Sequence, residues 1–97
     1  MPTYDKTAPF LNDWDDLSSS ERELFRIAVR KFVADLRAGK GFRKGLRVRR
    51  VQDSPGVYEM TWAPDGRATF EYGPPVRPGD VHIRWRRCGT HAIFQDP

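Results

Sequence analysis

The stretch Tyr58-Glu59-Met60-Thr61-Trp62-Ala63-Pro64-Asp65-Gly66-Arg67-Ala68-Thr69-Phe70-Glu71-Tyr72 decides the fold. Tyr58, Met60 and Trp62 alternate with Glu59 and Thr61. Ala68, Phe70 and Tyr72 alternate with Arg67, Thr69 and Glu71, so both runs show the period of two of a half-buried strand. Between them, Pro64-Asp65-Gly66 supplies turn residues over a span short enough for an antiparallel hairpin. Downstream, Val81, Ile83 and Trp85 alternate with His82, Arg84 and Arg86 after a longer connection from Gly73-Pro74-Pro75 to Pro78-Gly79. Upstream, Leu46 and Val48 alternate with Arg47 and Arg49, and Asp53-Ser54-Pro55-Gly56 marks a turn into the Tyr58 run. Four successive strands are expected, mainly antiparallel.

Before residue 40 the period changes. Leu24, Phe25, Ala28, Val29, Phe32 and Leu36 recur at spacings of three and four, with Arg22, Arg26, Arg30, Lys31 and Asp35 over much of the remaining surface, as in an amphipathic helix. Ser18 with Glu21, or Ser20 with Glu23, offers a capping box worth about 1 kcal/mol at its start, and Gly39 and Gly41 end it near Ala38. A short preceding helix over Phe10 to Asp16 and an edge strand over Met1 to Lys6 complete the expectation. The chain therefore reads as a small α+β fold, an N-terminal helix or helical hairpin packed on a four-stranded sheet. The apolar sheet face, with Tyr58, Met60, Trp62, Phe70, Tyr72, Ile83 and Trp85, should take the helix. Glu59, Thr61, Arg67, Thr69, Glu71, Arg84 and Arg86 should share the opposite, open face.

At 97 residues there is room for one domain, 1–97, and a domain of this size buries only about 60–65% of its unfolded surface. Six Phe, three Trp and three Tyr are too many rings for a disordered tail, and 31% charged residues too many for a membrane protein. No apolar run approaches the roughly 18–20 residues that span a bilayer, and residues 1–12 lack a signal-peptide pattern, so a cytoplasmic protein is expected. The single cysteine, Cys88, fits a reducing compartment and cannot form an internal disulfide or a thiol-only metal site. No metal or other cofactor is called for.

The net charge of +4 is modest, but Lys40, Arg43, Lys44, Arg47, Arg49 and Arg50 fall in one run without an acid, and Arg84, Arg86 and Arg87 form a second group. The acids Asp13, Asp15, Asp16, Glu21 and Glu23 cluster around the helix start. One basic face is expected, suited to nucleic acid or to an acidic protein. On RNA these residues would meet the phosphate backbone without reading sequence.

Phosphate chemistry on RNA also suits the remaining residues. The 2′-hydroxyl is the nucleophile, so cleavage needs a base for its proton, cations for the charge of the phosphorane, and an acid for the 5′-oxygen; no metal is required. Glu59, Arg67, Arg84, Arg86 and His91 supply all three types, with Glu59 as base, His91 as acid and Arg67 and Arg86 on the phosphate; the opposite base–acid assignment stays open. Glu59 also reads as half of a cross-strand ion pair with Arg67, His82 as structural or solvent-facing, and Trp14, Trp62 and Trp85 as core or interface.

The order of elements, the run Gly56-Val57-Tyr58-Glu59-Met60-Thr61-Trp62 followed by Gly66-Arg67-Ala68-Thr69-Phe70, and the ending Cys88-Gly89-Thr90-His91 resemble the RelE/ParE superfamily of bacterial toxins, nearer its RelE and YoeB branch, over about residues 8 to 95. The resemblance implies an endoribonuclease that cuts messenger RNA, usually on the ribosome at the ribosomal RNA of the A site. It also implies an acidic cognate antitoxin, with a dimer or a heteromeric toxin–antitoxin complex both open. Arg67 matches the family arginine that holds the scissile phosphate, and His91 the C-terminal histidine of YoeB-like members assigned to proton transfer. Two departures stand out: Ala92 replaces the tyrosine that follows that histidine, and Lys44 takes the place of the YoeB-like glutamate base. Glu59 and Thr61 also stand where RelE-like members have lysines. The resemblance further admits a non-catalytic module that binds antitoxin or RNA, and a ParE-like gyrase poison.

Overall fold

The helical stripe lies across adjacent strands in the computed structural model, which describes residues 2–97. In chain order the elements are β1 (Thr3–Lys6), α1 (Ala8–Asp16), α2 (Ser19–Ala38), β2 (Arg49–Arg50), β3 (Tyr58–Ala63), β4 (Gly66–Gly73) and β5 (His82–Gly89), with 3-10 turns at Lys44–Leu46 and His91–Gln95. Thr7 caps α1 through Phe10 N–H. At α2 the Ser18–Glu21 capping box forms in both directions, and Gly39, at φ 70°, ends the helix in the left-handed conformation that glycine adopts without a Cβ clash.

The sheet has five strands, not four, in the order β1-β5-β4-β3-β2. The added strand is β1, which runs parallel to β5 from Thr3 opposite His82 to Lys6 opposite Trp85; Met1 of the expected edge strand lies outside the described residues. The other ladders are antiparallel, with Thr61 opposite Arg67 and Arg67 opposite Gly89. Between Thr69–Arg87 and Phe70–Trp85 the register shifts, so Arg86 is an extra residue in β5. The expected strand from Leu46 to Arg49 is largely replaced. Arg47 at φ 49° breaks the extended chain, Leu46 is buried from within a 3-10 turn, and only Arg49 and Arg50 join the sheet.

Phe10, Phe25, Phe32, Met60, Trp62, Phe70, Ile83 and Trp85 are buried together between helices and sheet. The Phe25 ring meets Trp62 at 6.1 Å and Trp85 at 5.6 Å, and Phe32 meets Phe70 at 5.0 Å, each pair adding about 0.5–1.5 kcal/mol beyond its buried area. Both expected core tyrosines differ. Tyr58 is partly buried, and Tyr72 is 45% exposed because it packs edge-on against Tyr58 and Phe70 at the margin of the core.

The opposite sheet face is not open throughout. Glu59, Arg67 and Thr69 are buried, because residues 91–97 fold back onto β4 and β5 and Arg49 reaches across Glu59. Ile93, buried outside the main core, anchors that segment against Gly89.

Candidate phosphate-binding and proton-transfer site

The β3–β4 hairpin places its turn at the same end of the sheet as the end of β5. Because Arg67 pairs with Gly89, the turn residue Asp65 and His91, which starts the following 3-10 turn, arrive side by side. His91 Nδ1 lies 2.8 Å from Asp65 Oδ1. A carboxylate only accepts, so Nδ1–H is the donor, and this bond fixes the tautomer that leaves Nε2 for a substrate. Both side chains are exposed, at 58% and 70%. The His91 ring also meets Phe94 edge-on at 5.8 Å.

Arg67, two residues after Asp65, is nearly buried. Its Nη1 donates to three carbonyls of the hairpin turn, Gly66 at 2.9 Å and Ala63 and Pro64 at 3.3 Å, which leaves the other guanidinium nitrogens for an anion. The turn that orients the histidine through Asp65 thus also holds the arginine. Asp65 is the residue that sequence reasoning missed. Within Pro64-Asp65-Gly66 its type is explained by the turn, and only the Arg67–Gly89 register brings it to His91.

Glu59 sits one alternation away, opposite Thr69 and not opposite Arg67. Its partner is Arg49, at 3.0 Å, so the expected Glu59–Arg67 ion pair does not form. Arg86 donates from Nη1 to Glu71 at 2.9 Å and from Nε to the Pro97 carbonyl at 3.0 Å. Glu59, Arg67 and Arg86 therefore share one side of the sheet, and Arg67 and His91 are both tied to the hairpin turn, Arg67 through its carbonyls and His91 through Asp65.

The basic run divides in two. Arg43 makes a two-pronged bond to Asp35, which holds that carboxyl below its usual range and raises the guanidinium. Arg84 is bound to Asp5 at 3.1 Å, with the same reciprocal effect. Arg87 grips Asp13 at 2.6 and 3.1 Å, and hydrogen bonding to Asp13 raises its pKa. Lys40, Lys44, Arg47 and Arg50 are exposed and have no ion pair among the described residues. His82 is structural, buried between Thr3 Oγ1 at 2.7 Å and Asp5 Oδ2 at 3.2 Å. Concavities of about 320 and 510 Å³ are lined largely by residues of α2; neither includes Asp65 or His91, but the smaller reaches Ala63 and Pro64 of the hairpin turn. Among the described residues no three His, Cys, Asp or Glu side chains are grouped to hold a metal ion, and no helix is long and apolar enough to cross a membrane.

No family model and no curated relative matches the chain. Solved structures do. A chain of the Escherichia coli DinJ–YafQ toxin–antitoxin complex superposes with a TM-score of 0.64 at 15% identity, covering 95% of this chain and 94% of that one. The YoeB/ParE toxin from Agrobacterium tumefaciens gives 0.65 at 12% identity, over 92% and 98%. The RelB–RelE antitoxin–toxin complex from Methanococcus jannaschii gives 0.59 at 13% identity, over 94% of each chain. At such identities the likeness speaks for the backbone, and along its whole length this chain has the fold of the RelE, YafQ, YoeB and ParE toxins of type II toxin–antitoxin systems.

Proposed function

We propose that this protein is the toxin of a toxin–antitoxin pair, an endoribonuclease that cuts messenger RNA on the ribosome and so stops translation. The observation that carries the reading is that one hairpin turn holds both groups: Asp65 bonds His91 Nδ1, which fixes the tautomer and leaves Nε2 unused, and the turn carbonyls hold Arg67 through Nη1 alone. Arg67 and Arg86 hold the scissile phosphate. Glu59 takes the 2′-hydroxyl proton once phosphate has drawn Arg49 away from it, and His91 protonates the 5′-oxygen, with Asp65 stabilising the imidazolium. The attacking hydroxyl belongs to the RNA, so these groups suffice for the chemistry. Lys40, Lys44, Arg47 and Arg50 meet the RNA backbone and ribosomal RNA, and an acidic antitoxin silences the protein, as the complexes that share its fold suggest.

Primer extension on a messenger RNA, free and on purified ribosomes, tests this with wild-type, Arg67→Ala and His91→Ala proteins. Defined cuts that either substitution abolishes are the expected result. An absence of cuts in both settings overturns the reading in favour of a binding module or a gyrase poison.

A further inference from the structure

We propose that the concavity between α2 and the β3–β4 hairpin is a pocket for an unpaired base of the RNA, with the indole N–H of Trp62 as the donor that meets it. The inference rests on the nucleic-acid reading above and adds to it a base-contacting residue on the helix side of the sheet.

The hollow has a volume of about 320 Å³, near the lower end of the range of small-molecule sites and suited to a single heterocycle. Leu24, Ile27 and Ala28 of α2, Leu46 of the 3-10 turn and Trp62 give it mostly apolar walls. One polar group in those walls is unsatisfied. Trp62 is 8% exposed, and its Nε1 is the only buried side-chain nitrogen or oxygen among the described residues that has no hydrogen-bond partner. A buried donor left unpaired costs about 1–3 kcal/mol, which an acceptor on a ligand would recover. The ring that carries it is held in place. Phe25 meets it edge-on at 6.1 Å, and the turn packs so closely that a Cβ on Gly66 would lie 2.6 Å from Cδ2 and Cε2.

Three features select a base over other apolar occupants. The indole N–H donates and cannot accept, so the occupant presents a ring nitrogen or a carbonyl oxygen to it, as the edges of bases do. The hollow also lies within the free positive charge. Lys31, exposed and in no ion pair among the described residues, lines it, and so does Arg43, which spends Nε and Nη2 on Asp35 but not Nη1. Lys44 and Arg47 immediately precede and follow the lining residues Gly45 and Leu46. An anionic backbone therefore finds cations at the rim while its base enters, which is how single-stranded RNA with splayed-out bases is commonly read. Finally, Ala63 and Pro64 line the hollow and their carbonyls accept from Arg67, so one turn borders the base pocket and holds the proposed phosphate group. The rim can yield, because Leu24 is exposed and a Cβ on Gly45 would meet nothing within 4 Å; the base reaches Nε1 by pushing the Leu24 side chain aside.

The test follows the Trp62 Nε1–H signal, assigned with Trp62→Phe, by NMR during two titrations of the full chain. One probe is a 2′-O-methyl oligonucleotide, which cannot be cleaved, and the other is ribose 5-phosphate, which carries a phosphate but no base. The oligonucleotide should move the signal downfield, and ribose 5-phosphate should leave it in place. In fluorescence anisotropy, Trp62→Phe should weaken oligonucleotide binding about two- to tenfold, the loss of one hydrogen bond. The slope of affinity against salt should stay at the wild-type value, because no phosphate contact is lost. Gly45→Leu, at a position with room for a side chain and without a left-handed φ, narrows the hollow while the indole stays intact, and it should weaken binding and suppress the movement of the signal. Oligonucleotide binding with an unmoved Trp62 signal, or with wild-type affinity in both variants, overturns the pocket and leaves the nucleic-acid reading standing. No oligonucleotide binding together with no cuts in primer extension overturns both.

Discussion

His91 and Asp65 stand 26 positions apart in sequence and 2.8 Å apart in space, and the value of the histidine depends on that contact. Asp65→Asn keeps the shape of the turn but removes the charge that stabilises the imidazolium, and the amide can instead donate to Nδ1 and select the other tautomer. His91→Gln should lower RNA cleavage by about 10²–10⁴-fold. Asp65→Asn should lower it less, while leaving oligonucleotide affinity and melting temperature unchanged, since both side chains are exposed. Single-turnover cleavage checks this, and a wild-type rate in Asp65→Asn would remove Asp65 from its positioning role. Cys88 gives a second residue-scale prediction. Burial pushes its thiol up to about 12. Reaction requires thiolate, so iodoacetamide at pH 8 should leave the native protein unmodified and label it once it is unfolded in urea, as mass spectrometry will show. The native pKa lies above the unfolded value of about 8.5, so the contribution of Cys88 to stability is complete below that pH and is lost as pH rises toward 12.

At the scale of elements, the β3–β4 hairpin joins core to site. A Cβ on Gly66 would lie 2.6 Å from two carbons of the Trp62 ring, so Gly66→Ala forces either the indole or the turn to move. Overpacking of this kind costs about 1–3 kcal/mol, measurable by urea denaturation. Because the Ala63, Pro64 and Gly66 carbonyls hold Arg67, cleavage by this variant should fall even at temperatures where it is fully folded. The same elements show what the sequence made legible. Strands β3, β4 and β5 and helix α2 could be read because each has one periodic apolar face, and the Ser18–Glu21 box marks where α2 begins. The Leu46–Arg49 run alternates equally well yet is mostly not strand, since a single left-handed residue, Arg47, breaks it, and side-chain alternation carries no information about φ. Arg67 and His91 could be assigned by type. The burial of Thr69, the bulge at Arg86 and the Asp65 contact could not, because each follows from β4–β5 register and from the return of residues 91–97 over the sheet.

For the molecule as a whole, the fold decides which cations are free to meet an anionic partner. The sequence suggests one basic face, but contacts 74 to 79 positions apart, Asp13 with Arg87 and Asp5 with Arg84, bring acids from the N-terminal elements to β5. With Asp35 on Arg43 and Glu59 on Arg49, much of the positive charge in both basic groups is already paired. Lys40, Lys44, Arg47 and Arg50 remain exposed, the last three grouped around the 3-10 turn at Lys44–Leu46 and strand β2. A cation that neutralises a phosphate releases condensed counterions from it, and for single strands log K falls with log salt by about 0.7 per contact. Replacement of Lys44, Arg47 and Arg50 together by Ala should therefore make the slope for a non-cleavable single-stranded RNA shallower by about 2. Arg87→Ala should change that slope little, because Asp13 holds the guanidinium, and should instead lower the melting temperature by exposing an unpaired, partly buried carboxylate. Anisotropy titrations between 50 and 300 mM salt separate the two classes, and a slope set chiefly by Arg87 would mean that RNA displaces Asp13 and enters between α1 and the end of β5.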